Sequence, residues 1–277
     1  MQSSNPVLTR YEKTDKSGFA YDEGVAAYGQ AASSGAGMAD TNAAFQQVTA
    51  AGGLRLTIND VIIKALVVFA ITVVFAVAGW NLVETMPWIL WVSIIAGLVL
   101  GLVNSFKKVP SPPLIMLYAV FQGVMLGAIS NWYNAYAEGN GYQGIVLQAV
   151  VATMTTFGIM LTLYLTGVVK VTKRFQSILI VAAVSYLVLG FASFVAAMFG
   201  VGGGWGFYGV GTLGLIICVV GVLIAAFFLM LDFEAISQGI KLGAPERESW
   251  RMAFGLLMTL IWLYLEFLRL LAIFSRN

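Results

Sequence analysis

Residues 207–231 read FYGVGTLGLIICVVGVLIAAFFLML, an apolar run without a single charged side chain. A hydrocarbon core about 30 Å thick is crossed by roughly 20 residues of α-helix, so this run is long enough to span a membrane. Backbone groups inside lipid must be hydrogen-bonded within their own segment, and the run lacks the alternation of a barrel strand. The run therefore predicts a transmembrane helix.

Six further apolar runs of similar length accompany it. They lie at residues 61–80, 88–106, 114–133, 145–169, 177–199 and 252–274. Seven such runs predict an all-α polytopic membrane protein, with seven transmembrane helices in a bundle over residues 54–277. The composition agrees, because 60% of the residues are hydrophobic and 10% are charged, against about 25% charged in soluble domains.

Charge and residue usage exclude several functions. The 15 basic and 13 acidic side chains nearly cancel, so the chain lacks the positive field of a nucleic-acid-binding protein. It contains no histidine, the commonest general base and zinc ligand. The GxGD signature of intramembrane aspartyl proteases is absent, and the last apolar run has no lysine to hold retinal. We therefore expect neither an enzyme nor a protein with a bound cofactor.

Residues 1–53 differ from the rest of the chain. They are rich in Ser, Gly, Ala and charged residues, and they contain no apolar run long enough for a signal peptide. This composition predicts a disordered cytoplasmic tail that precedes the transmembrane domain.

The basic residues indicate the orientation in the membrane. Ten of them alternate with loops that contain no Lys or Arg: Arg55, Lys64, Lys107, Lys108, Lys170, Lys173, Arg174, Lys241, Arg247 and Arg251. Because basic residues near span ends stay on the cytoplasmic side, we expect the amino terminus inside and the carboxyl terminus outside. With short loops and no recognisable targeting signal, a bacterial plasma membrane is the expected location.

Three ionisable residues lie within or at the end of the last two runs. Asp232 ends the sixth run in LMLDFEAI, and Glu266 and Arg269 lie inside the seventh in WLYLEFLRLL. A charged side chain in a membrane costs about 3 kcal/mol or more, so each of these residues is a candidate functional residue.

The spacing leaves two interpretations of these residues open. Glu266 and Arg269 are three apart on a helix and can form a structural ion pair. Alternatively, Asp232 and Glu266 meet across two antiparallel helices, share a proton and bind Ca²⁺ weakly when ionised. If the turn lies at Gly243, however, Asp232 is about 16 Å and Glu266 about 34 Å from it along the helices, so contact requires the segment at residues 237–251 to bend back.

The seven runs, the acidic residue in MLDFEAI and the segment LYLEFLRLLAIF resemble the transmembrane Bax-inhibitor-motif family. The resemblance covers roughly residues 55–277 and is most specific in the last two runs. It implies a seven-helix protein that leaks Ca²⁺ in a pH-dependent way through a path governed by two acidic residues. These would be Asp232 and Glu266, although the second is typically Asp in the family.

The resemblance also implies a basic residue that locks the acidic pair when the path is closed. Lys107, near the end of the second run, is the nearest match by position. Arg269, where the family pattern has a neutral residue, is the other candidate for this cation.

Two functions from different classes follow from these observations. The first is a pH-sensitive Ca²⁺ leak channel, with Asp232 and Glu266 as proton sensor and ion path and with membrane lipid, protons and Ca²⁺ as its partners. The second, also suggested by the resemblance, is a regulatory membrane protein that binds and restrains a protease or stress-response partner through its amino-terminal tail.

Overall fold

The computed structural model describes residues 55–209 and 211–275, so the predicted disordered tail lies outside the described residues. Seven α-helices follow one another: α1 (Ile58–Thr85), α2 (Trp88–Phe106), α3 (Pro112–Gly139), α4 (Ile145–Leu165), α5 (Lys173–Met198), α6 (Gly211–Lys241) and α7 (Glu248–Phe274). Each is long and apolar enough to cross a membrane. The prediction of an all-α bundle of seven transmembrane helices is confirmed.

The helix bounds differ most from the apolar runs in α6. This helix begins at Gly211 and continues to Lys241, past the end of the apolar run at Leu231. Its last turns include Asp232 and Glu234, so hydrophobicity alone ends the segment too early. The helix stops before Gly243, whose φ of 65° lies in the left-handed region that favours glycine.

The closest helix packing joins α1 to α3. A Cβ atom at Gly123 would lie 2.8 Å from Phe75 Cβ, and one at Gly79 would lie 2.7 Å from Val124 Cα. Gly127, four residues after Gly123, faces the backbone of Ala76 and Trp80 at similarly short range. Small residues at this spacing let two membrane helices approach closely, so the GVMLG segment serves helix packing.

One end of the bundle, which we call the basic end, holds the loops that carry the basic residues. Lys64 Nζ lies 2.7 Å from Glu246 Oε1, which ties α1 to the loop before α7. Arg251 donates to the backbone oxygens of Lys107 and Lys108, and Arg247 donates to that of Pro110. The start of α7 is therefore tied to both α1 and the α2–α3 loop.

The opposite end, which we call the aromatic end, is closed by a glycine-rich segment between α5 and α6. This segment forms two short 3₁₀ turns, Val201–Gly204 and Gly206–Gly209. Phe207 N donates to Ser193 Oγ at 2.9 Å, and a side chain at Gly206 (φ 62°) would collide with the backbone of Ser193. The ring of Trp205 packs against those of Trp132, Tyr133 and Tyr136 on α3.

Candidate functional site

Glu266 is the most completely bonded acidic residue of the bundle. It lies on α7 and is only 2% exposed. Its Oε2 accepts a hydrogen bond from Tyr186 Oη at 2.8 Å, and its Oε1 accepts one from Trp262 Nε1 at 3.1 Å. Arg269 Nη1 lies 3.3 Å from Oε1 and 3.2 Å from Oε2. The carboxylate is thus held by three side chains, and the predicted pairing of Glu266 with Arg269 is present.

Arg269 is half-buried and lies against an aromatic ring. Its guanidinium lies 4.2 Å from the centroid of the Tyr208 ring, which belongs to the glycine-rich segment. Tyr133 on α3 also lies close enough to Arg269 to interact with its charge. Burial raises the pKa of the Tyr208 hydroxyl, so this phenol stays neutral beside the cation. The pair of Glu266 and Arg269 is therefore covered on the side of the aromatic end.

A glycine on α6 makes room for this bonding. A Cβ atom at Gly221 would overlap Tyr186 Oη and would lie 2.8 Å from Glu266 Oε2. Because glycine has no side chain, the α6 backbone leaves space for Tyr186 of α5 to donate its hydrogen bond to Glu266 of α7. Its proximity to Glu266 shows that Glu266 of α7 lies beside Gly221 of α6.

Asp232 lies in a different environment at the same helix interface. Its Oδ1 would be 3.6 Å from a Cβ atom at Gly255, and its carboxyl group lies near Thr259, whose hydroxyl donates to the backbone oxygen of Gly255. Oδ2 is buried and has no hydrogen-bond partner. The described part of the chain has three ion pairs, and none of them includes Asp232. Asp232 is therefore a half-buried carboxyl group, with one buried oxygen, that has no fixed cation.

The structure does not bring Asp232 and Glu266 together. Gly221, which faces Glu266, precedes Asp232 by eleven residues, and Gly255, which faces Asp232, precedes Glu266 by the same number. At 1.5 Å per residue, both counts place the two carboxylates about 16 Å apart along the helices. The segment after Ser237 does not bend back to close this gap, because α6 stays helical to Lys241. The two acids occupy separate levels of one interface.

We define the α6–α7 interface by the residues that face each other between these two levels. They are Gly221, Phe228 and Asp232 of α6 and Gly255, Thr259, Trp262 and Glu266 of α7.

Lys107 lies at the basic end of the bundle. It is exposed at the C-terminal end of α2, and its backbone oxygen accepts from Arg251 Nη2 at 3.1 Å. Within residues 55–209 and 211–275, Lys107 forms no ion pair with either acid. Of the two candidates for an internal cation, Arg269 is the one that contacts an acidic residue of the site.

Neither acid belongs to a preformed metal centre. Among the described residues, no group of three Asp, Glu, Cys or His side chains is close enough to hold a metal ion. Ca²⁺ prefers six to eight oxygen ligands, which Asp232 and Thr259 together cannot supply. A cation at this position would keep much of its water.

Sequence reasoning missed four residues that shape the site: Tyr186, Gly221, Thr259 and Trp262. Trp262 had a local signal, since it precedes Glu266 by four residues and thus lies on the same helix face. Tyr186 and Gly221 come from two other helices, so their contacts depend on the packing of the bundle.

The sequence matches a known protein family. A family model described as Bax inhibitor 1 like matches residues 5–276, nearly the whole chain. The match begins well before residue 55, where the sequence resemblance was expected to start, so it includes most of the amino-terminal tail. No curated protein matches the chain. With its seven transmembrane helices, the chain belongs to the Bax inhibitor 1 like family of membrane proteins.

Proposed function

We propose that the protein is a pH-sensitive Ca²⁺ leak channel whose ion path follows the α6–α7 interface. The observation that carries the proposal is the buried Oδ2 of Asp232, which has no hydrogen-bond partner. Burial of a carboxyl oxygen without a partner is unfavourable, and acidic groups within membrane helices mark ion and proton pathways. Membership of the Bax inhibitor 1 like family supports the same conclusion.

The surroundings of Asp232 explain why protons and cations would compete there. Its carboxyl group lies near Gly255 and Thr259 of α7, and neither carries a charge. An ionised Asp232 therefore attracts a passing cation, whereas a protonated Asp232 does not. Few additional oxygens are available, so binding is weak and favours passage over storage. This competition makes the leak depend on pH.

Glu266 and Arg269 have a different role in this proposal. Arg269 already neutralises Glu266. The part of the interface around Glu266, towards the aromatic end, is therefore closed to a second cation in this arrangement. Asp232 is then the proton-sensitive binding residue, and Arg269 is the internal cation that neutralises Glu266 while the path is shut.

We also propose that the basic end faces the cytoplasm of a bacterial cell. The ten basic residues counted in the sequence occupy the segments before α1, between α2 and α3, between α4 and α5, and between α6 and α7, or the adjoining helix turns. Retention of basic residues on the cytoplasmic side then places the amino terminus inside and Asp232 nearer the cytoplasm than Glu266.

The test is Ca²⁺ flux into liposomes that contain the purified full-length protein, measured from about pH 5.5 to about pH 8.5. We expect the parent protein to leak Ca²⁺ in a pH-dependent way, and Asp232→Asn to remove most of that dependence. The matched control is Glu138→Gln, which neutralises an exposed acid outside the interface. A folded parent that passes no Ca²⁺ at any pH would refute the proposal and direct attention to partners of residues 1–53.

A further inference from the structure

Three aromatic rings fill the α6–α7 interface between the levels of the two acids. Trp262 lies three residues after Thr259 and four before Glu266, and Phe228 lies four residues before Asp232. The centroids of the Trp262 and Phe228 rings are 5.7 Å apart. Tyr186 of α5 adds a third ring, with its centroid 6.0 Å from that of Trp262. The rings come from three helices, and that of Trp262 contacts both of the others.

Their position separates Asp232 from Glu266. At 1.5 Å per residue along α7, Trp262 lies about 6 Å from Glu266 towards the basic end and about 5 Å from Thr259 towards the aromatic end. Phe228 lies about 6 Å from Asp232 along α6, on the side towards Glu266. Trp262 packs against two of the buried hydrophobic clusters, one that includes Leu229 and Leu263 and another that includes Cys218 and Ile224. Apolar rings at a constriction oppose the passage of a hydrated cation.

Trp262 is also tied to the charged pair. Its indole Nε1 donates to Glu266 Oε1, the same oxygen that lies 3.3 Å from Arg269 Nη1. A buried indole N–H needs an acceptor, so this bond fixes the orientation of the ring. When Glu266 moves away from its partners, the ring loses the contact that holds it. The ring position and the state of the ion pair are thus linked through one oxygen atom.

We propose that Trp262 is the closing residue of the ion path, that its ring and that of Phe228 form the constriction, and that the bond to Glu266 holds the constriction closed. This inference rests on the proposed function, because it assigns the closure of the same path. It assigns the barrier to an apolar side chain and gives Glu266 a positioning role towards that side chain.

The test compares Ca²⁺ flux through the parent with flux through four full-length variants in liposomes. Trp262→Ala and Phe228→Ala remove rings from the constriction, and Trp262→Phe keeps a ring but removes the indole donor. Trp91→Ala is the matched control, since Trp91 lies on α2 and is 59% exposed. Each variant is first checked for a single folded species by size-exclusion chromatography in detergent.

We expect Trp262→Ala to raise the flux at least about tenfold, because removing a ring lets water wet the constriction. Phe228→Ala should raise it by a smaller factor. Trp262→Phe should raise it by roughly two- to fivefold, because the ring remains but loses its tie to Glu266. Trp91→Ala should leave the flux unchanged.

The outcomes separate this inference from the proposed function. A parent that leaks Ca²⁺, with folded Trp262→Ala and Phe228→Ala variants that leak no faster, overturns the closing role of Trp262 and leaves the channel intact. A parent that leaks at no pH overturns the channel itself. If Trp262→Ala does not fold, Phe228→Ala and Trp262→Phe decide the matter, and no increase in either overturns the inference.

Discussion

Glu266 and Asp232 lie on the same helix interface, and their surroundings differ in nearly every respect. Glu266 is 2% exposed and accepts hydrogen bonds from Tyr186, Trp262 and Arg269. Asp232 has a buried oxygen without any hydrogen-bond partner and no ion pair. A buried carboxylate with a fixed cation acts as a structural element, because its charge is already neutralised. A half-buried carboxylate without one remains available to a proton or a mobile cation.

The largest expected effect comes from removing the cation of the bonded acid. Arg269→Met leaves the carboxylate of Glu266 buried without its partner, which lowers the free energy of unfolding by about 3 to 5 kcal/mol. Thermal unfolding in detergent, followed by loss of the monodisperse peak, measures the change. The double variant Glu266→Gln with Arg269→Met is the control, because it removes both charges and should recover most of the loss. Equal instability of the single and double variants would contradict the assigned importance of the pair.

An intermediate effect is expected from filling the space beside Glu266. Gly221→Ala places a methyl group against Tyr186 Oη and Glu266 Oε2, so one of the two side chains must move. Forcing a group into a packed region typically costs about 1 to 3 kcal/mol. Gly158→Ala on α4 is the matched control, since a Cβ atom there meets nothing within 4 Å. The same thermal assay should show a fall for Gly221→Ala alone; a similar fall for both would mean that helix glycines in general, rather than this contact, determine stability.

The smallest effect on stability is expected at Asp232. Asp232→Asn removes a charge that has no ion-pair partner, so the free energy of unfolding should stay the same or rise by up to about 1 kcal/mol. Glu266→Gln, the equivalent change in the bonded acid, should lower it because Arg269 is left unpaired. Parallel thermal unfolding of the two variants measures the contrast. If Asp232→Asn proved the more damaging of the two, the distinction between a structural and an available carboxylate would be wrong.

The membrane helices could be predicted from the sequence because hydrophobicity over about 20 residues determines them. The same criterion misplaced the end of α6, where polar residues such as Glu234 continue the helix beyond the apolar run. Glu234 is accommodated by a hydrogen bond from Tyr164 at 2.9 Å, a contact with another helix that sequence periodicity does not reveal. Helix existence was therefore predictable, and helix length was less so.

The candidate site was predictable only where its contacts are local. The spacing of Glu266 and Arg269 is a property of one helix, and the structure contains that ion pair. The meeting of Asp232 with Glu266 depends on the turn between α6 and α7, and counting residues from Gly243 already indicated a mismatch in depth. The structure has this mismatch. Counting residues along the helices was therefore a better guide than the hypothesis of a carboxylate pair that shares a proton.

Helix α5 packs against few other elements of the protein, and this affects the choice of membrane mimetic for the purified protein. Among the described residues, α5 packs mainly against α6 and the two 3₁₀ turns, and most of its large apolar side chains face outward. Acyl chains rather than protein therefore hold much of this helix, and it carries Tyr186, the donor to Glu266. A short-chain detergent replaces that support poorly. Nanodiscs or bicelles are accordingly the preparations in which the bond between Tyr186 and Glu266 is best preserved.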